Sequence, residues 1–210
     1  MPPAELKEWV MLFKDFLLGL AALVTTIIAI YGARMWKREL AGKEIYAATK
    51  ALLRESHLLS KAIREARMPI QDYERKLFTK EEVKHTTKNE RWRLSEADAY
   101  KKRIENLSIA INNYQSALLD VRVLVGSTVH LGFLPFGRLI TEVIYKIGNY
   151  IAVIQDFSQT VLPDSAEVKE VQQELYPTEN IDDEFSQQIA EAREEGEKCL
   201  LTFLHRTSVS

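Results

Sequence analysis

From Phe16 to Ala33 the chain reads FLLGLAALVTTIIAIYGA, with no charge, no side-chain amide and no proline. At ~1.5 Å per residue, a helix over this run crosses most of a roughly 30 Å hydrocarbon core. A helix buried in a soluble domain ordinarily keeps a polar edge over such a length. Here that edge is reduced to Thr25 and Thr26, whose hydroxyls can bond back to their own helix. The run reads as a single transmembrane helix, and a chain tethered in this way has its remaining options restricted from the start.

A secretory signal is the main rival. Such a signal has a basic start, a short apolar core and a small-residue cleavage site. The first residues here mix Glu5, Lys7, Glu8, Lys14 and Asp15, and the run leads into RMWKREL. Ala29 and Ala33 can imitate a cleavage site, but the flanks suit a retained anchor better. Trp9, Phe13 and Phe16 lie on one side, Tyr31 and Trp36 on the other, and aromatic rings favour the membrane interface. Arg34, Lys37, Arg38 and Lys43 follow the span against Glu39 and Glu44, while acids outnumber Lys7 and Lys14 before it. Excess Lys and Arg marks the cytoplasmic side. The expected topology is single-pass in the inner (cytoplasmic) membrane, with the N-terminus outside and the C-terminal part in the cytoplasm.

The chain has 210 residues, a formal net charge of −2 and one cysteine, Cys199. That length allows one globular unit after the span. One cysteine makes no disulfide framework and no zinc cluster, and Cys199 falls on an apolar stripe, as a core residue would. The middle of the chain is rich in Lys and Arg, including Lys101, Lys102 and Arg103 as a candidate basic patch; Asp164 to Glu197 is acidic. The plainest account of both is solvated helix faces that pair with each other.

No segment alternates apolar and polar residues as a half-buried strand does. Ala41, Ile45, Ala48, Leu52, Ser56, Leu59 and Ile63 share one helical stripe, so the membrane helix is expected to continue to a break near Met68-Pro69. The polar stretch that follows reads as a mobile connection, with one short helix around Lys80 to Lys84. Ile104, Leu107, Ile111, Tyr114, Leu118, Val121 and Val125 then form a heptad seam, with Ser95 and Asp98 near its start and Gly126 at its end. VHLGFLPFGR is expected to turn. Ile140, Val143, Ile147, Tyr150, Ile154 and Phe157 mark a third helix. Its charges, Arg138, Glu142, Lys146 and Asp156, place it in a bundle core rather than in lipid. A short amphipathic helix follows within VLPDSAEVKEVQQELYP. Asp182 to Leu204 forms the last, with Phe185, Ile189, Ala192, Gly196, Cys199 and Phe203 on one face.

The fold class expected is therefore all-α: an N-terminal transmembrane helix continuing into a cytoplasmic up-and-down four-helix bundle. Residues 1–36 make the anchor, with the span at about 16–33. Residues 37–210 make the bundle, with the connection at about 68–92. Leu52, Leu59, Ile104, Ile111, Leu118, Val143, Ile147, Ile154, Ile189 and Phe203 are expected to be buried.

Chemistry-bearing motifs are scarce. The sequence has no glycine-rich phosphate loop, no nucleophile elbow and no cysteine pair for a metal. His57, His85, His130 and His205 are scattered, and no Glu-x-x-His pair suggests a di-iron bundle. HEPN-type ribonucleases carry Arg and His about four to six residues apart. Arg54 and His57 are closer than that, and Arg122 and His130 are farther apart. The reading is of a non-enzyme without a cofactor.

The span Phe16 to Ala33, the basic RMWKREL and the apolar stripes give a layout that resembles small membrane proteins of bacterial anti-phage loci. Among these is the accessory membrane protein of type VI CRISPR systems, a membrane helix followed by a helical, HEPN-like bundle that assembles into a ring-shaped pore. The resemblance is architectural and lacks the Arg/His motif. It implies a homo-oligomer in the membrane and a role in permeability.

Two classes of function compete. In the first, an oligomeric membrane effector packs its helices through Thr25, Ala29 and Ala33, small residues four apart; such spacing also arises by chance in an Ala-rich span. In the second, a passive anchored adaptor binds a protein partner through its bundle. An anchored RNA-binding module using the basic middle segment ranks behind both. Membrane lipid is a partner in every case, contacted by the interface residues Trp9, Tyr31, Arg34, Trp36, Lys37 and Arg38.

Overall fold

A computed structural model describes residues 3–156, 162–177 and 183–204, with side chains from Trp9 onward. Every regular element among the described residues is helical. α1 is Pro3–Arg67, α2 Lys80–His85, α3 Lys88–Val125, α4 Ser127–Gly132, α5 Leu134–Gln155, α6 Ala166–Leu175 and α7 Glu184–Leu204. The chain divides into two units, Met1–Glu44 and Ile45–Ser210.

The first unit is the apolar part of α1. Every described side chain from Trp9 to Ala41 is exposed. The second unit has one core. α5 packs on α3, α6 and α7, and α4 packs on α3 and α7. Leu52, Leu59 and Ile63 on α1 are at most 1 % exposed, so this end of α1 belongs to the core as well. The α5 face meets the expected pattern: Val143, Ile147, Tyr150 and Ile154 are buried, with Ile140 beside them. Phe157 and Asp182 lie outside the described residues, as does His205.

Three expectations are corrected. α3 begins at Lys88, earlier than Ser95, because Thr87 caps it and Glu90 closes a capping box. Its buried stripe runs through Tyr100, Leu107, Tyr114 and Val121, while Ile104 is 38 % exposed. Ile111 and Leu118 lie at the edge of the core, as do Cys199 and Phe203 on α7. The neighbours cover a face centred on every seventh residue rather than both rows of the seam.

VHLGFLPFGR is not a loop. It ends α4 and begins α5, with Pro135 in the first turn of α5, where a missing N–H costs nothing. The turn falls earlier, at Gly126, whose φ of 99° and ψ of −172° suit only glycine.

The connection after α1 carries the expected short helix, α2 at Lys80–His85, together with further local order. A 3₁₀ turn spans Asp72–Glu74, and α2 is capped by Thr79, whose hydroxyl accepts from Glu82 N–H at 3.3 Å. Glu74 Oε2 accepts from Gln71 N–H at 2.9 Å, and Ser95 Oγ accepts from Lys76 N–H at 3.0 Å.

Candidate membrane-spanning surface and polar centres

One helix among the described residues, α1, is long and apolar enough to cross a membrane, and its apolar window has no buried residue. This separates it from a core helix of equal hydropathy, which would be covered. Thr25 Oγ1 donates to the Ala21 carbonyl and Thr26 Oγ1 to the Ala22 carbonyl, each at 2.8 Å. Both hydroxyls are thus satisfied within the helix, as an apolar surrounding requires.

The four-residue spacing sets Thr25, Ala29 and Ala33 on one face of α1, all exposed. Gly19 and Gly32 are equally open: a Cβ at either would meet nothing within 4 Å. Trp9, Tyr31 and Trp36 are each 67–68 % exposed. Beyond the apolar run, Lys43 pairs with Glu39 at 2.7 Å. Arg34, Lys37 and Arg38 are exposed with no ion-pair partner among the described residues, so positive charge dominates that flank.

The basic patch Lys101, Lys102 and Arg103 does not survive as a unit. Lys102 pairs with Asp98 at 2.8 Å. Arg103 turns inward. Its Nε donates to Glu74 Oε1 at 2.8 Å and its Nη2 to Glu74 Oε2 at 2.5 Å, while Nη1 donates to the Met68 carbonyl. The Arg103 guanidinium holds the Glu74 carboxyl below its usual range, against a smaller opposing effect of burial. Of these three, Lys101 alone is exposed with no ion-pair partner among the described residues.

Sequence reasoning missed a buried polar centre. Glu96 on α3 is 3 % exposed. It accepts from Tyr150 Oη at 3.1 Å, and Arg75 lies 3.4 Å from its other oxygen. Gln172 on α6 donates to Tyr150 Oη at 3.2 Å, and the rings of Tyr100 and Tyr150 meet edge-on at 5.0 Å. Burial raises the Glu96 pKa, with the Tyr150 hydrogen bond and Arg75 opposing it. Burial likewise raises the Tyr100 and Tyr150 phenols. The centre ties α3, α5 and α6 together.

A second buried ion lies where α1 ends. Arg67 is 2 % exposed. It donates to the Leu175 carbonyl at 3.0 Å and to Ser186 Oγ at 2.7 Å, and pairs with Asp183 at 2.8 Å. Partial burial pushes the Asp183 carboxyl up, but bonds from Arg67 and Ser186 outweigh it and leave the pKa lowered.

The histidines remain apart. His57 Nε2 is 3.2 Å from Glu197 Oε1, His130 borders an apolar groove, and His85 ends α2. Among the described residues no group of three or more His, Cys, Asp or Glu is placed to hold a metal. The groove beside His130 holds about 380 Å³ between α3, α4 and α5. Its apolar walls include Leu118, Leu119, Leu134 and Ile144. No protein-family model, curated protein or solved structure matches the chain.

Proposed function

We propose that this chain is a single-span membrane protein that acts by assembly rather than by catalysis. The observation that carries this reading is the Phe16–Ala33 surface, wholly exposed and apolar, with its two threonine hydroxyls bonded internally. Water penalises such a surface and lipid does not. The span sits in the cytoplasmic membrane with its N-terminus outside; the unpaired Arg34, Lys37 and Arg38 support that orientation. The second unit is an up-and-down four-helix bundle of the α1 end, α3, α5 and α7. Core residues from all four helices support it.

Copies associate along the Thr25, Ala29, Ala33 face, where small side chains let backbones approach. In its fullest form the assembly is a pore with an apolar lining, gated by wetting, that serves bacterial anti-phage defence. Alkaline extraction and reporter fusions at both termini test the anchor and its direction. A soluble chain, or a C-terminal reporter active outside the cytoplasm, would overturn them. Cross-linking in membranes tests assembly: Ala29→Leu should weaken it by about 1 kcal/mol per contact. Dye-reported depolarisation tests the pore.

The second reading is an anchored adaptor that binds a protein partner. The apolar groove between α3, α4 and α5, walled by Leu118, Leu119, Leu134 and Ile144, favours it. A monomer in mild detergent together with an intact membrane potential would select the adaptor.

A further inference from the structure

A cleft of about 370 Å³ lies between α1 and α7 within the second unit. Its polar walls are His57, Ser60, Lys61, Arg64, Arg67, Ser186 and Arg193, and no carboxylate among the described residues lines it. Four permanent cations converge there in a chain whose net charge is −2. The neighbouring acids are already engaged from behind. Asp183 pairs with Arg67, Glu65 lies 3.7 Å from Lys61, and Glu197 is shared by His57 and Arg193.

Three donors remain to be used. Arg64 is exposed and has no ion-pair partner among the described residues. Ser60 Oγ is shielded from solvent without a hydrogen bond. Arg193 Nε is 3.0 Å from Glu197 Oε1, yet it too lacks an aligned acceptor. Hydroxyl and guanidinium donors around a recess, left short of acceptors, are the complement of an oxyanion with several lone pairs. Carboxylate ligands offer fewer acceptor oxygens than this donor set could use.

We propose that this cleft binds a phosphate group, with Arg64 and Lys61 as the outer cations and Ser60 and Arg193 as the inner donors. The site stands apart from the membrane reading. Its chemistry is common to a soluble phosphate ester and to an anionic phospholipid headgroup.

The test uses the full chain in phosphatidylcholine nanodiscs with pyrophosphate as the probe. Acylation of individual lysines, followed by mass spectrometry, reports protection. Pyrophosphate should slow the modification of Lys61 and leave that of Lys101 unchanged. Titration by calorimetry should show Lys61→Gln/Arg64→Gln losing at least tenfold in affinity. The equal charge change Lys101→Gln/Lys102→Gln, on α3 outside the cleft, should lose little. All four positions are exposed, so folding is preserved in both variants. Nanodiscs containing phosphatidylglycerol, without pyrophosphate, separate the sources: protection of Lys61 there assigns the headgroup, and its absence assigns a soluble ester. No protection by either probe would overturn the proposal, as would equal losses in the two double variants.

Discussion

Gly148 and Gly196 both lie inside long helices, and replacing each by alanine is the same chemical change with opposite expected results. In an exposed helix interior the change gains ~1 kcal/mol of helix propensity. Gly148 on α5 is exposed, and a Cβ there meets nothing within 4 Å. Gly196 on α7 is buried, and a Cβ there would lie 2.6–2.7 Å from three atoms of the Phe133 ring. Carbon atoms prefer separations of about 3.5–4.0 Å, so the ring must retreat by roughly 1 Å. It has little room. Phe133 is 1 % exposed and meets Tyr114 edge-on at 6.1 Å, and Tyr114 meets Phe136 at 5.5 Å. Overpacking of this kind costs ~1–3 kcal/mol. The propensity gain is common to both sites and cancels between them, so the two variants should differ by that cost. For a chain of this size each kcal/mol moves the midpoint by about 2–4 °C. Thermal unfolding of the full chain in detergent, followed by far-ultraviolet circular dichroism, should show Gly148→Ala unfolding several degrees above Gly196→Ala. Equal midpoints, or the reverse order, would refute the close approach of α7 to Phe133.

Arg67→Met should cost ~3–5 kcal/mol in denaturant unfolding, because it strands Asp183 and the Leu175 carbonyl. Gly126→Ala should cost ~1–3 kcal/mol by the same assay, since its backbone angles exclude a Cβ. Glu96 predicts a pH dependence. Its folded pKa is raised, so its contribution to stability is complete below its unfolded value and is lost as pH rises through the folded one. Glu96→Gln resembles the protonated acid and keeps an acceptor for Tyr150. Its stability relative to the native chain should therefore be greater at about pH 8 than at about pH 4. Unfolding curves that give the same difference at both pH values would contradict the raised pKa.

The long apolar helix and the α5 face were legible in the sequence for one reason: each keeps one unbroken pattern along its length. An apolar run without a polar edge announces a uniform surrounding, and Ile140 to Ile154 repeats at spacings that only one buried face satisfies. α3 was harder. Its apolar residues occupy two rows, and only the contacts made by its neighbours decide which row is covered. Pro135 and the glycines beside it signal a turn in isolation, yet proline in a first helical turn carries no penalty. The sequences TKEE and TKNE held two capping boxes that could have been read directly. The pairing of Arg103 with Glu74 and the Glu96 centre were not legible. Their partners are remote in sequence, and a charge run does not reveal which member turns inward.

The segment between α1 and α3 is fastened at both ends. Arg103 grips it at Met68 and Glu74, Ser95 holds Lys76, and Thr79 starts α2. Between the last two fastenings Leu77 is 92 % exposed. An insertion there would extend a loop whose ends are already held, and each doubling of loop length costs only about 0.6 kcal/mol. Leu77 is thus the natural port for a protease site or a fluorescent tag. A chain cut at that point would keep its two pieces docked, making the globular unit accessible to labelling or severing at will without touching the apolar helix.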